Sequence, residues 1–279
     1  IPFYAHGMIE TLSNDGYQKE AEELLQTSYR VVSVKYGDRS PTAAAQLAQL
    51  LWYYLETDQK TKAIDTVNQI LTYDPRAIEI GGATSALSTI LSVSRNPRYN
   101  KNNELAKEIL SLLLQSQKKA LAPDDIRIAN TLIALSETET RLDHYQKADE
   151  YMRQAIKIKT LFLGKEKALI DTFRYSKLCL EKLGKEDEIK KITALTNNRN
   201  HHFWNPPAPG KDLSMLQKQE FLLNHSREHA PYSSTTVRYL ESLARLYEQD
   251  KKWNLVLDMM KERIEIYERD EDIYAGRMH

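Results

Sequence analysis

The residues best suited to chemistry are His225-Ser226-Arg227-Glu228-His229, an H-x-x-E-H pattern. On a helix His225 and His229 are four apart and share a face, as two imidazoles on one zinc require, with Glu228 beside them as a base. His201 and His202 fall in the same region, so four of the seven histidines lie within 29 residues. The spacing admits a metal-dependent hydrolase, an adventitious or structural metal, or a solvated helix end. Pro231 stops the helix just beyond, and histidine complements the negative pole of a helix. A five-residue pattern also arises readily by chance. The solvated end is therefore preferred, with no catalytic residue, metal or cofactor assigned.

Other chemistry is sparse. The lone Cys179 excludes an internal disulfide, and its neighbours Leu178, Leu180 and Leu183 on a predicted helix make it a buried structural thiol. No glycine-rich phosphate loop, C-x-x-C pair or G-x-S-x-G elbow is present. Glu20, Glu22 and Glu23, like Asp270, Glu271 and Asp272, read as solvated helix ends. The lysines at 157, 159, 165, 167, 182, 185, 190 and 191 are interleaved with acids and read as an ordinary exposed face.

The elements that must position these residues are helices. Over 126–164 the apolar residues Ala129, Leu132, Leu135 and Leu142 mark one helix face, and Tyr145, Ala148, Met152 and Ala155 another, with only Asp143 and His144 between. Two helices joined so closely lie antiparallel, and such a hairpin buries only one side of each member. Neighbours are required. Ala148 has counterparts at Ala21, Ala63, Ala106, Ile189 and Val256, at successive spacings of 42, 43, 42, 41 and 67 residues, the last being one repeat with an insertion of about 25. A small residue followed four and seven positions on by larger ones recurs as Ala63, Val67, Ile70 and as Ala106, Leu110, Leu113. That pattern lets a second helix approach closely.

These features resemble the tetratricopeptide repeat family: Tyr145 before Ala148 and Trp253 before Val256, the first-helix pattern Leu240, Leu243, Ala244, Tyr247, and Asp74-Pro75 closing a repeat. The period near 42, with loops such as Tyr36-Gly37-Asp38-Arg39-Ser40-Pro41, is similar to the longer kinesin-light-chain type. The resemblance implies an all-α, right-handed α-solenoid of about six antiparallel helix pairs. Residues 1–196 hold five repeats, 197–212 a Pro and aromatic-rich loop, and 213–279 an extra helix and a final pair continuous with the same solenoid. The predicted helices are 2–13 with 18–36, 41–56 with 61–73, 78–94 with 103–120, 126–142 with 145–164, 165–183 with 185–196, then 213–228, and 232–249 with 252–269.

In that family first helices line an inner groove. The register places Gln49, Trp52, Asn130, Glu137, Asp171, Arg174, Tyr175, Arg238, Glu241 and Arg245 there. Relatives grip a ligand backbone with asparagines where this chain has Gln49, Ala134, Tyr175 and Ser242, of which only Gln49 keeps an amide. A helix or folded surface therefore fits better than an extended peptide. The loop's Phe203 and Trp204 either plug the gap between repeats or occupy the groove until a ligand displaces them.

Composition bounds the rest. Lys plus Arg equals Asp plus Glu at 39 each, so the formal charge is zero, which argues against a nucleic-acid or membrane-surface binder. No run of 18 apolar residues exists, so a soluble chain is expected, its compartment left open. Opening on Ile1 with neither Met nor an apolar leader, it reads as the processed or trimmed form of a longer chain. The expectation is a non-catalytic adaptor for another protein or peptide, of open oligomeric state. A groove regulated by the 197–212 loop and a hydrolase at 225–229 are the alternatives.

Overall fold

The computed structural model describes residues 17–74, 78, 86–93, 102–197, 208–210 and 212–269. The expected helix over 2–13, the Gly81-Gly82 pair, His201, His202, Phe203, Trp204 and the acidic residues at 270–272 lie outside them. The described residues contain twelve α-helices and no strand. These are α1 (Gln18–Tyr36), α2 (Pro41–Glu56), α3 (Lys60–Ile70), α4 (Ala86–Ser92), α5 (Asn103–Ala120), α6 (Ile126–Arg141), α7 (Tyr145–Leu163), α8 (Lys165–Lys182), α9 (Glu186–Asn197), α10 (Met215–His229), α11 (Ser234–Gln249) and α12 (Trp253–Arg269).

Two kinds of turn set the helical register. Asp58, Asp143, Gly184 and Lys251 turn α2 into α3, α6 into α7, α8 into α9 and α11 into α12, all with φ between 54° and 67°. Each stands five residues before a repeat position, namely Ala63, Ala148, Ile189 and Val256. The N–H that follows donates back across the turn, from Gln59 to the Tyr54 carbonyl, Lys185 to Leu180 and Lys252 to Tyr247, at 2.8, 3.0 and 2.9 Å. This left-handed closure satisfies a carbonyl that the helix end would otherwise leave open. The second kind ends α1 at Gly37 and α7 at Gly164, sixteen residues after Ala21 and Ala148. Their angles, φ 94° with ψ 145° and φ 77° with ψ 159°, belong to a region that only glycine occupies at ease. After Gly37, Ser40 caps α2 by accepting the Ala43 N–H at 3.2 Å, and Pro41 fills the first helical position, where no donor is needed.

The chain divides into two compact units, Ile1–Leu121 with Glu137–Leu142 and Ala122–Ser136 with Asp143–His279. In the first, Ala21, Ala63 and Ala106 are fully buried, as are Val67, Ile70 and Leu110. Helix α2 packs on α1, α3 and α4, which explains why it buries Ala44, Leu47, Leu51, Tyr53 and Tyr54 rather than one narrow stripe. Glu22 departs from the expected solvated carboxylate: it accepts from Tyr54 Oη at 3.1 Å and Lys62 Nζ at 2.7 Å, joining α1 to α2 and α3.

In the second unit, α7 packs on α8, α8 on α9, and α11 on both α10 and α12. Ala148, Met152 and Ala155 are buried, and Ser136 Oγ donates to the Ala148 carbonyl at 2.7 Å, a contact that a larger side chain at 148 would obstruct. Ile189 and Val256 hold the same register but are only half-buried. Cys179 is buried and its thiol donates to the Tyr145 carbonyl at 3.2 Å, a structural role as expected. Where the sequence reads Lys159 and Lys185 as exposed, both are tied down: Lys159 to Asp171 at 2.7 Å and Lys185 to Asp149 at 2.6 Å.

Candidate interaction groove

The last hairpin, α11 and α12, carries a concave surface in the second unit. Ser233 caps α11, accepting the Thr236 N–H at 3.2 Å, and sets a helix whose Val237, Leu240, Leu243 and Tyr247 form one buried row. Leu223 of α10 and Ile266 of α12 complete that cluster, with Val256 and Met259 packed against it. The Tyr247 hydroxyl donates to Glu220 at 2.7 Å; burial, joined by that carboxylate, pushes its pKa up to about 12.

Helix α12 carries a second apolar row. Trp253, Leu257, Met260 and Ile264, spaced four, three and four apart, lie on one ridge and are 56, 54, 49 and 57% exposed. Three of them form one wall of a groove of about 810 Å3. Glu241, Arg245 and Glu248 of α11 form the other, with Ala244 leaving space between them. Arg263 bridges the walls, 3.5 Å from Glu241 and 3.3 Å from the Tyr267 hydroxyl. An apolar floor with charges of both signs at its edge can hold an amphipathic segment by burial and orient it by ion pairing. No described helix is long and apolar enough to cross a membrane.

The ten residues expected to line a groove divide. Glu241 and Arg245 line this one together. Arg238, one turn earlier on α11, is exposed and stacks over Tyr239 at 5.5 Å. On α8, Asp171 is engaged by Lys159, while Arg174 lies over the Tyr175 ring at 4.4 Å and donates to its hydroxyl. Asn130 on α6 is half-buried, as are Glu137 there and Gln49 and Trp52 on α2, in the first unit. Sequence reasoning missed Leu257, Met260 and Ile264 and used Trp253 only as a turn residue. The signal was present, since α12 has apolar residues at 253, 257, 260 and 264 beside the inner row of 256, 259 and 266, more than one interface absorbs.

The H-x-x-E-H residues end α10. His225 is half-buried, Glu228 and His229 are exposed, and their ligand-type atoms lie within 4.8 Å of one another. The His225 ring stacks on Phe221 and sits 4.1 Å from that of His229, centre to centre.

No family model matches the chain, and neither does any curated protein. Solved structures do. A crystal structure of kinesin light chain nearly identical TPR-like repeats from Podosopora anserina shares 16% identity, covers 71% of this chain and 95% of its own, and has a TM-score of 0.41. BtubC (BKLC) from P. vanneervenii shares 11%, covers 90% and 89%, and scores 0.44. Residues 1–338 of Acl4, an assembly chaperone of RpL4, share 16%, cover 98% and 99%, and score 0.33.

Proposed function

We propose that the protein is a non-catalytic interaction scaffold that holds an amphipathic helix of a partner protein in the groove between α11 and α12. The observation that carries this reading is the ridge Trp253, Leu257, Met260 and Ile264, four large apolar side chains left in water on a helix whose other row is packed. A ridge of that spacing is what one helix presents to another, and the eleven steps from 253 to 264, at a rise of about 1.5 Å each, give a seat about 16 Å long. Glu241, Arg245 and Glu248 along the opposite wall favour a helix bearing both charges beside its apolar face. Strand addition has no support, since the described residues offer no sheet edge.

The test places a photo-crosslinking residue at Leu257 and, as a control, at the exposed Lys177 of α8. Crosslinked peptides from position 257 are expected to be helical and amphipathic. The double variant Leu257→Glu/Met260→Glu is expected to lose the complex with no fall in melting temperature. Retention of the complex by that variant, with its loss in Arg174→Ala/Tyr175→Ala, would move the contact to α8 and defeat the groove.

A further inference from the structure

We propose that His225, Glu228 and His229 form a binding site for one divalent transition-metal ion, zinc being the best fit, on the last turn of α10. The proposal stands apart from the groove and assigns no catalysis.

Geometry comes first. Positions 225, 228 and 229 lie on one side of the helix, and their donor atoms are already within 4.8 Å of one another. A tetrahedral ion with ligands at about 2.1 Å needs them about 3.4 Å apart.

The tautomer follows from a hydrogen bond. His229 Nδ1 lies 2.9 Å from the His225 carbonyl oxygen, which can only accept, so Nδ1 is the donor there and Nε2 is the nitrogen that would ligate an ion. A ligating histidine is commonly held in this way, its other nitrogen donating to a carbonyl. Phe221 orients the second imidazole: its ring lies 6.1 Å from that of His225, centre to centre, the planes 7° apart.

The platform is firm and its electrostatics are favourable. Arg227, between the ligands in sequence, is engaged with Glu262 of α12 through Nη2 at 2.5 Å and Nε at 2.9 Å, so its charge is compensated. Ser226 and Ala230 are buried. The open carbonyls of a helix C-terminus favour a cation. Two imidazoles and one carboxylate suit zinc, copper or nickel and not magnesium or calcium, which require oxygen ligands. In an H-x-x-E-H hydrolase the glutamate is a base; here it is the third ligand.

Isothermal titration of the full chain with zinc chloride is expected to show one ion bound per chain, with magnesium chloride giving no heat. His225→Ala and His229→Ala should each weaken zinc by about tenfold or more, and Glu228→Gln by less. Both histidines reach solvent, so circular dichroism of the variants should match the parent. Zinc should raise the melting temperature of the parent and of neither histidine variant. Zinc affinity unchanged in His229→Ala, or absence of zinc binding by the parent, would overturn the site.

Discussion

The side-chain oxygens of Ser226 and Thr236 stand 2.5 Å apart, both sealed from water, where α10 turns into α11. Thr236 Oγ1 also reaches the Ala230 carbonyl at 2.8 Å, an oxygen that can only accept, so Thr236 donates there and Ser226 donates to Thr236. The isosteric Thr236→Val takes this partner from the Ser226 hydroxyl, the Ala230 carbonyl and the Ser233 hydroxyl, which lies 3.1 Å from Thr236 Oγ1, and is expected to cost about 1–3 kcal/mol in urea unfolding. Ser226→Ala leaves the Thr236 bond to Ala230 in place and should cost about 1 kcal/mol. Equal losses would show that the two bonds do not form a chain.

The repeat alanines set how near the helices come. Ala148 is fully buried beneath Ser136, and Ala148→Leu forces extra atoms into a filled site, for an expected loss of about 1–3 kcal/mol. Ile189 has the same register with room around it, so Ile189→Leu should change stability by no more than about 0.5 kcal/mol. Chemical denaturation of both variants checks the contrast.

Backbone strain predicts opposite signs at two turns. Lys251 holds φ 56°, a conformation that costs a side chain about 1 kcal/mol, so Lys251→Gly should stabilise by up to that amount. Gly37 meets nothing within 4 Å of an added Cβ, yet its φ of 94° with extended ψ is costly for any other residue. Gly37→Ala should lose about 1–3 kcal/mol from conformation alone. Melting curves of the pair should move in opposite directions.

Acid should reveal Asp149. Burial works to raise its pKa, but hydrogen bonds from Lys185 and Arg153 outweigh burial and hold the carboxyl below the ordinary carboxylate range. The folded state thus prefers the ionised form. Its contribution is complete above the unfolded value near pH 3.9 and is lost as pH falls through the lowered folded value. Asp149→Asn should lower the melting temperature at pH 7, and the gap should narrow below about pH 4. A gap independent of pH would mean that the carboxylate charge is not what stabilises.

The hairpins were legible because Ala21, Ala63, Ala106 and Ala148 recur at nearly equal intervals, and helix packing tolerates only small residues where axes approach. Element limits followed from Ser40-Pro41 and from Asp143, whose chemistry marks starts and stops; α3 ends at Ile70, three residues short of expectation, because the following residues close as a turn. Partners at long range were not legible. Nothing near Glu22 in the chain announces Lys62 or Tyr54, and a lysine at 159 looks the same in sequence whether it meets Asp171 or water. The α12 ridge was overlooked because one apolar row satisfies the repeat pattern, and the pattern is silent on a surplus.

That ridge also governs how the protein behaves in the tube. Sulfate and other excluded salts penalise apolar area in contact with solvent, so precipitation should begin at Trp253, Leu257, Met260 and Ile264. The acidic Leu257→Glu chain should stay dissolved at ammonium sulfate concentrations that cloud the parent, an inexpensive first sign of whether this face is the adhesive one.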